Sequence, residues 1–250
     1  MCSTRGRARN ARHPNGFNLH PLRATTDAAR AASQAIATIA GERVELHADR
    51  ALYWPRARTL FVADVHLGKA ATFRAGGVPI PRGTTARDLE RLTGLLAATR
   101  AETLYVLGDL IHAAAGRVGA LHESVERWRA AHASIAVRLV RGNHDDHAGD
   151  PPSSWRIDVV GRMQALPPFL ACHEPCSPPT GYALCGHVHP GVRLAGQVDA
   201  ARLPCFVLGA RRALLPAFGG FTGLGHFDHA PGDRIVAIAG QRLFKLPRRE

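Results

Sequence analysis

Apolar spacing divides the chain into a first half, where short buried runs alternate with helical periodicity, and a second half of short runs alone. Thr59-Leu60-Phe61-Val62-Ala63 is rich in Leu, Phe and Val and predicts a buried strand. Before it, Val44 and Leu46 and then Ala51-Leu52-Tyr53-Trp54 flank Asp49-Arg50 in the manner of a hairpin. The Gly and Pro residues of 68–83 predict a loop without regular structure. Thr84 or Thr85 then caps a helix to about Arg100, with Leu89, Leu92, Leu95 and Leu96 at helical spacing. A second apolar run, Thr103–Leu107, ends at Gly108-Asp109. A helix over Val118–His132 and a strand over Ile135–Val140 come next, the latter ending at Arg141-Gly142-Asn143-His144-Asp145. Strand, helix, strand, helix, strand is the rhythm of an α/β fold with a parallel sheet. Beyond Pro151 helical spacing disappears. Short strands near 155–160, 168–172, 182–185, 192–195, 204–208, 212–217, 234–239 and 241–246 predict a second, mixed or antiparallel sheet.

At 250 residues the chain fits one large domain, and its 46% hydrophobic content is that of a soluble protein. No apolar run approaches the roughly 18 residues of a membrane span, and no signal-peptide core follows the charged start, so a cytoplasmic address is expected. Residues 1 to about 40, rich in Arg, Ala, Ser and Thr, predict a loosely ordered basic extension, leaving 41–250 as the folded domain. Five cysteines without CxxC spacing support neither a disulfide framework nor a thiolate zinc site; Cys172 and Cys185 read as small buried fillers. The formal net charge of +12 points to a polyanionic partner such as nucleic acid. Six arginines against Asp27 place five of those charges in the first 30 residues, and only Lys69 and Lys245 are lysine, as codon bias would produce.

Candidate chemistry sits at the strand ends, where an open α/β sheet places its sites. Asp64 and His66 follow the first strand, Asp109 the second, and Asn143 with His144 the third. In the second half His173 follows 168–172, and Gly186-His187-Val188-His189 follows 182–185. Residues i and i+2 of a strand share a side, so Asp64 and His66 are expected to reach one ion together. Carboxylate and amide oxygens mixed with imidazoles suit divalent manganese, iron or zinc. Seven such ligands, with His144 set aside, exceed the needs of one ion. Two ions sharing a bridging carboxylate is the economical arrangement, and it implies two-metal hydrolysis of a phosphate ester.

These motifs, in this order, resemble the calcineurin-like metallophosphoesterase superfamily: Asp-x-His, Gly-Asp, Gly-Asn-His-Asp, a separate His, and Gly-His-x-His, spanning Asp64 to His189. The resemblance implies a four-layer α/β/β/α sandwich of two mixed sheets flanked by helices. It implies one ion held by Asp64, His66, Asp109 and His189 and a second held by Asp109, Asn143, His173 and His187, with Asp109 bridging. It also implies His144 as a catalytic group near the scissile phosphate, and attack on phosphorus by hydroxide. His112 and His147 read as neighbours of the site or as surface residues.

A sharper similarity lies in Asp64-Val65-His66-Leu67-Gly68-Lys69-Ala70-Ala71-Thr72-Phe73-Arg74, in Gly76 to Pro81, and in Leu215 to Gly223. These stretches resemble the bacterial ligase-associated DNA-damage-response endonucleases. That resemblance, over about 43–246, implies a manganese-dependent DNA nuclease associated with a DNA ligase, a helicase and an exonuclease; a single-stranded or irregular substrate is expected because a recessed dimetal site admits a single strand more easily than a stiff duplex, and a homodimer is also expected. Lys69, Arg74 and Arg141 are the candidate phosphate contacts, and Phe73, Phe218 and Phe221 the candidates for stacking on unpaired bases. The alternatives are a small-molecule phosphodiesterase or nucleotide hydrolase, or a protein phosphatase, on the same scaffold, and last a metal-free binding scaffold. Gly225-His226-Phe227-Asp228-His229 matches no part of the pattern.

Overall fold

The computed structural model describes residues 22–23, 32–80, 82–114, 119–195, 200–228 and 230–247. Strand β1 (Leu22–Arg23) joins the second sheet, and most of the expected N-terminal extension lies outside the described residues. The first sheet has the spatial order β2 (Gln34–Ile39), β3 (Glu42–His47), β4 (Ala51–Trp54), β5 (Thr59–Ala63), β6 (Thr103–Leu107), β7 (Ala136–Val140) and β8 (Ile157–Val159). It is an antiparallel meander up to β5 and parallel thereafter. Gln34–Ile39, assigned from sequence to the extension, is thus the edge strand of the domain. The connection from β5 to β6 carries α1 (Lys69–Ala75) and α2 (Thr84–Thr99); α3 (Gly119–Ala131) joins β6 to β7, and α4 (Asn143–Ala148) opens the way to β8. The second sheet runs β1-β12-β13-β14-β11-β10-β9, with β9 (Met163–Leu166), β10 (Phe169–Cys172), β11 (Tyr182–Cys185), β12 (Gly191–Ala195), β13 (Ala200–Leu208) and β14 (Arg212–Leu214). β15 (Arg234–Ala239) branches from β13 and pairs with β16 (Arg242–Lys245).

Alternation along the central strands assigns each side chain to a layer. Leu60, Val62, Leu104, Val106 and Leu139 face Leu89, Leu92, Leu95, Leu96, Leu121 and Val125 of the two longer helices. Phe61, Ala63, Tyr105, Leu107 and Val140 face Phe169, Leu184, Phe206 and Val236 of the other sheet. Burial on both faces explains why these strands read as continuous apolar runs. Two mixed sheets packed face to face and flanked by helices make up the α/β architecture. No helix among the described residues is long and apolar enough to cross a membrane.

The 68–83 stretch departs from the sequence reading, because Lys69–Ala75 is helical. Its Gly and Pro residues at 76, 77, 79 and 81 all come after Ala75, so Lys-Ala-Ala-Thr-Phe-Arg-Ala contains no breaker. Gly68, at φ 81, turns the chain into this helix.

Register brings the site together. Ala63 pairs with Leu107 and Leu107 with Val140, so three parallel strands end level. In the second sheet Ala171 pairs with Leu184, which levels the ends of β10 and β11. Past these ends the chain is no longer extended. Asp64 (φ 53), His66 (φ 49), Asp109 (φ 53), His187 (φ 69) and His189 (φ 49) are all left-handed. Strand alternation therefore does not explain how Asp64 and His66 point together; both lie past β5, in turns that re-aim them. Non-glycine residues in this region cost about 1–3 kcal/mol each where strained, and the histidines lack the local hydrogen bonding that eases Asp.

His187 is exposed, so little packing offsets its backbone cost. His187→Gly is expected to raise the thermal midpoint measured in chelator by about 2–4 °C, the shift that ~1 kcal/mol gives in a chain of this size. His187→Ala retains a Cβ at the same φ and gains nothing. Equal midpoints for the two variants would show that the backbone there is unstrained.

Candidate metal centre

Loops leaving the level strand ends run side by side before they diverge. Asp64 N donates to Gly108 O at 3.2 Å, His66 N to Asp109 O at 2.8 Å and Leu67 N to Leu110 O at 2.8 Å. The second sheet is tied to the same place, since Phe218 N donates to Ala63 O at 2.7 Å and Gly219 N to Asp64 O at 3.1 Å. Side chains from both sheets thus meet around Asp64 and Asp109, which are 0% and 2% exposed.

Two ligand clusters share this junction. In the first, His66 Nε2 stands 3.4 Å from His189 Nε2 and 3.7 Å from Asp109 Oδ2, and His189 Nε2 lies 3.4 Å from Asp64 Oδ1. In the second, His173 Nε2 is 3.0 Å from Asn143 Oδ1, 3.0 Å from His187 Nδ1 and 3.5 Å from Asp109 Oδ1. His187 Nδ1 is 3.1 Å from Asn143 Oδ1. The two oxygens of Asp109 therefore face different clusters. Asp64 Oδ1 also comes within 3.8 Å of His173 Nδ1, so Asp64 stands close to both.

These donor sets fit divalent cations. His173 Nδ1 donates to Leu107 O at 3.0 Å, which leaves Nε2 with a lone pair aimed at the Asn143 oxygen. Two acceptors at such a distance repel unless a cation lies between them, and ~3 Å is the ligand-to-ligand edge expected for bonds of about 2.1 Å. Before any cation binds, burial, then the charges of Lys69, His189, His144 and His112, hold His66 down at about 2. The His66 ring is therefore neutral and free to coordinate. Burial pushes Asp109 upward against the pull of His173 and the His144 N–H, so its anion is short of positive charge.

Asp145 braces the arrangement and was not singled out from sequence. Its carboxylate, 1% exposed, accepts the N–H groups of Asp109 (2.8 Å), Leu110 (2.9 Å), Ile111 (3.3 Å) and Gly142 (2.9 Å). Burial raises its pKa and the backbone N–H groups lower it; since all four partners are donors, the ionised form is the one that fits. Charge-assisted bonds of about 1.5–3 kcal/mol each offset the several kcal/mol needed to bury the anion. The available signal was an Asp in the first turn of α4, where a carboxylate caps free N–H groups. Close approach is also built in at Gly142 and Gly108. A Cβ on Gly142 would lie 2.3 Å from Asp109 Oδ1, and one on Gly108 would lie 2.1 Å from His173 Nδ1.

Other predicted residues sort by position. His144 N donates to Asp109 Oδ1 at 2.9 Å, and its Nδ1 engages His112 O at 2.9 Å. The His144 ring stacks on His112 (centroids 5.0 Å apart) and meets His66 edge-on at 4.9 Å. His112 is thus a neighbour of the site, whereas His147 is exposed and turns back to Asn143 O at 2.8 Å. Burial lowers the pKa of Lys69, at the start of α1, against the opposing pull of the nearby Asp109 and Asp64 carboxylates. Arg74 occupies the last turn of the same helix. Arg141 is turned toward Asp150, with which it forms an ion pair. Cys172 and Cys185 are buried behind the second cluster, with sulfurs 3.4 Å apart.

The family model described as calcineurin-like phosphoesterase matches residues 57–189, just over half of the chain. The crystal structure of the Pseudomonas putida nuclease MPE aligns with a TM-score of 0.76 and 43% identity, covering 85% of this chain and 100% of that one. Yfce, a phosphoesterase from E. coli, is 16% identical over 73% of this chain and 88% of its own, with a TM-score of 0.36. No match is found among the curated proteins. The family match runs through every strand end that carries a candidate ligand, from Asp64 to His189. The chain belongs to the calcineurin-like phosphoesterases, hydrolases of phosphate esters that work with divalent metal ions.

Proposed function

We propose that this hydrolase is a DNA endonuclease acting on single-stranded or irregular DNA in bacterial DNA repair, with manganese as its working metal. The observation that carries the dimetal reading is the division of Asp109, one oxygen toward His66 and the other toward His173. The nuclease reading is supported by 43% identity to a nuclease over the whole of that chain, and by the net charge of +12. Association with a DNA ligase, a helicase and an exonuclease in the cytoplasm belongs to the same proposal.

Asp64, His66, Asp109 and His189 would hold one ion, and Asp109, Asn143, His173 and His187 the other. Bound there, the ions would supply charge to clamp the phosphoryl oxygens and to make a water acidic enough to attack phosphorus near neutral pH. The chain's own groups do the rest. With its Nδ1 engaged by the His112 carbonyl, His144 has Nε2 left to hold a proton for the leaving oxygen. Lys69 and Arg74, along one helix, neutralise neighbouring substrate phosphates. Arg141 would have to exchange Asp150 for phosphate to take part.

The test is cleavage of closed circular single-stranded DNA with added manganese, beside hydrolysis of bis-p-nitrophenyl phosphate. Wild type is expected to cut the circle, with a rate that falls steeply as salt rises, and Asp109→Ala to abolish both activities. Wild type that hydrolyses the small diester and leaves the circle intact would transfer the assignment to small phosphodiesters. Asp145→Asn places an NH2 against backbone N–H groups, and is expected to weaken manganese binding about 10–100-fold while far-UV circular dichroism stays native. Unaltered manganese titration would remove Asp145 from the machinery.

A further inference from the structure

Among the described residues, Phe73 and Phe221 are the two exposed phenylalanines, each 38% exposed, and they touch each other beside the metal centre. Their rings meet edge to face with centroids 5.6 Å apart. Phe73 lies 6.1 Å from His112, which in turn packs 5.3 Å from His66. A continuous line of rings thus leads from a candidate ligand to open surface. Lys69 precedes Phe73 by four residues on α1, so cation and ring share one face of the helix. Phe218, the third ring considered from sequence, is fully buried under the Arg91 guanidinium and is excluded from stacking.

Phe221 is held by a loop with little freedom. Asp88 accepts Gly220 N at 3.0 Å, Arg50 donates to Ala217 O at 3.1 Å and Gly219 O at 3.3 Å, and Arg91 donates to Phe218 O at 3.1 Å. The same loop bonds to Ala63 and Asp64 of the first sheet, so the outer ring is placed relative to the ligands. A surface ring held this way loses little freedom when a partner stacks on it.

We infer that Phe73 and Phe221 form a cradle that stacks one unpaired base of a single-stranded substrate, while Lys69 meets a phosphate beside it. The inference rests on the nuclease reading and specifies its substrate. A nucleobase fits because the cradle combines aromatic faces with an adjacent cation at a phosphodiesterase centre. Bases inside a duplex keep their faces covered, so the cradle selects against intact duplex.

The experiment is a cycle of two substrates against four proteins: a single-stranded oligonucleotide and a same-length oligomer of abasic units, with wild type, Phe73→Leu, Phe221→Leu and Phe73→Tyr. Stacking worth about 1–3 kcal/mol per base predicts that wild type favours the base-bearing strand by about tenfold or more in kcat/KM. The leucine variants should bring that ratio close to one and the tyrosine variant should keep it. Because each protein supplies its own ratio, partial misfolding does not imitate the result, and leucine tests the ring rather than the apolar volume. Wild type that cuts both oligomers equally, or leucine variants that keep the preference, would overturn the cradle while leaving the nuclease in place. Wild type that hydrolyses bis-p-nitrophenyl phosphate but neither oligomer would overturn the nuclease reading, and the cradle with it.

Discussion

The carboxylate of Asp109 lies where two sheets, five loops and both ligand clusters converge, and its burial is tolerable only because of what surrounds it. An anion 2% exposed needs donors or cations on every side. The protein supplies the His144 N–H directly and leaves the remaining lone pairs facing imidazoles, one cluster to each oxygen. A chain that folds around such a group is organised for positive charge that it does not itself contain. Metal binding and the packing of the sheet junction are therefore coupled.

Around Asp109 the backbone is constrained more tightly than the side chains. Asp145 gathers the N–H groups of three consecutive residues from the β6 loop together with Gly142 from the next loop. One buried carboxylate thus sets the spacing between the loops carrying Asp109 and Asn143. On the other side Asp88 and Arg91 of α2 and Arg50 of the β3–β4 turn fasten the 217–220 loop of the second sheet, whose Phe218 N–H bonds to Ala63 O at the end of β5. Left-handed turns then rotate the ligands inward from strand ends that register has already levelled. Backbone energy is spent where side-chain direction matters, as expected of a site that must be formed before its ions arrive.

Electrostatics favours the same arrangement from the opposite direction. Burial and neighbouring cations drive His66 to neutrality, and burial together with Lys69 and His144 holds His112 at about 4. At His66 and His112 the site thus offers lone pairs rather than protons. Positive charge is carried at its margin by Lys69, where a phosphate would approach.

By itself the sequence determined the α/β class, the buried strands and the placement of the seven candidate ligands at strand ends, because apolar runs ending in Asp, Asn or His are local patterns that survive without neighbours. The helix within 68–83 is hidden in the sequence because breakers crowd the stretch, although each of those beyond Gly68 stands after Ala75. Edge strands Gln34–Ile39 and Met163–Leu166 escape sequence reading because half-exposed positions carry a weak alternation. The tertiary structure alone decided how the ligands are aimed, which Phe rings reach solvent, that Arg141 turns to Asp150, and that Asp145 braces two loops. Each of these depends on contacts between residues that spacing along the chain does not pair, where burial and donor geometry choose the conformation.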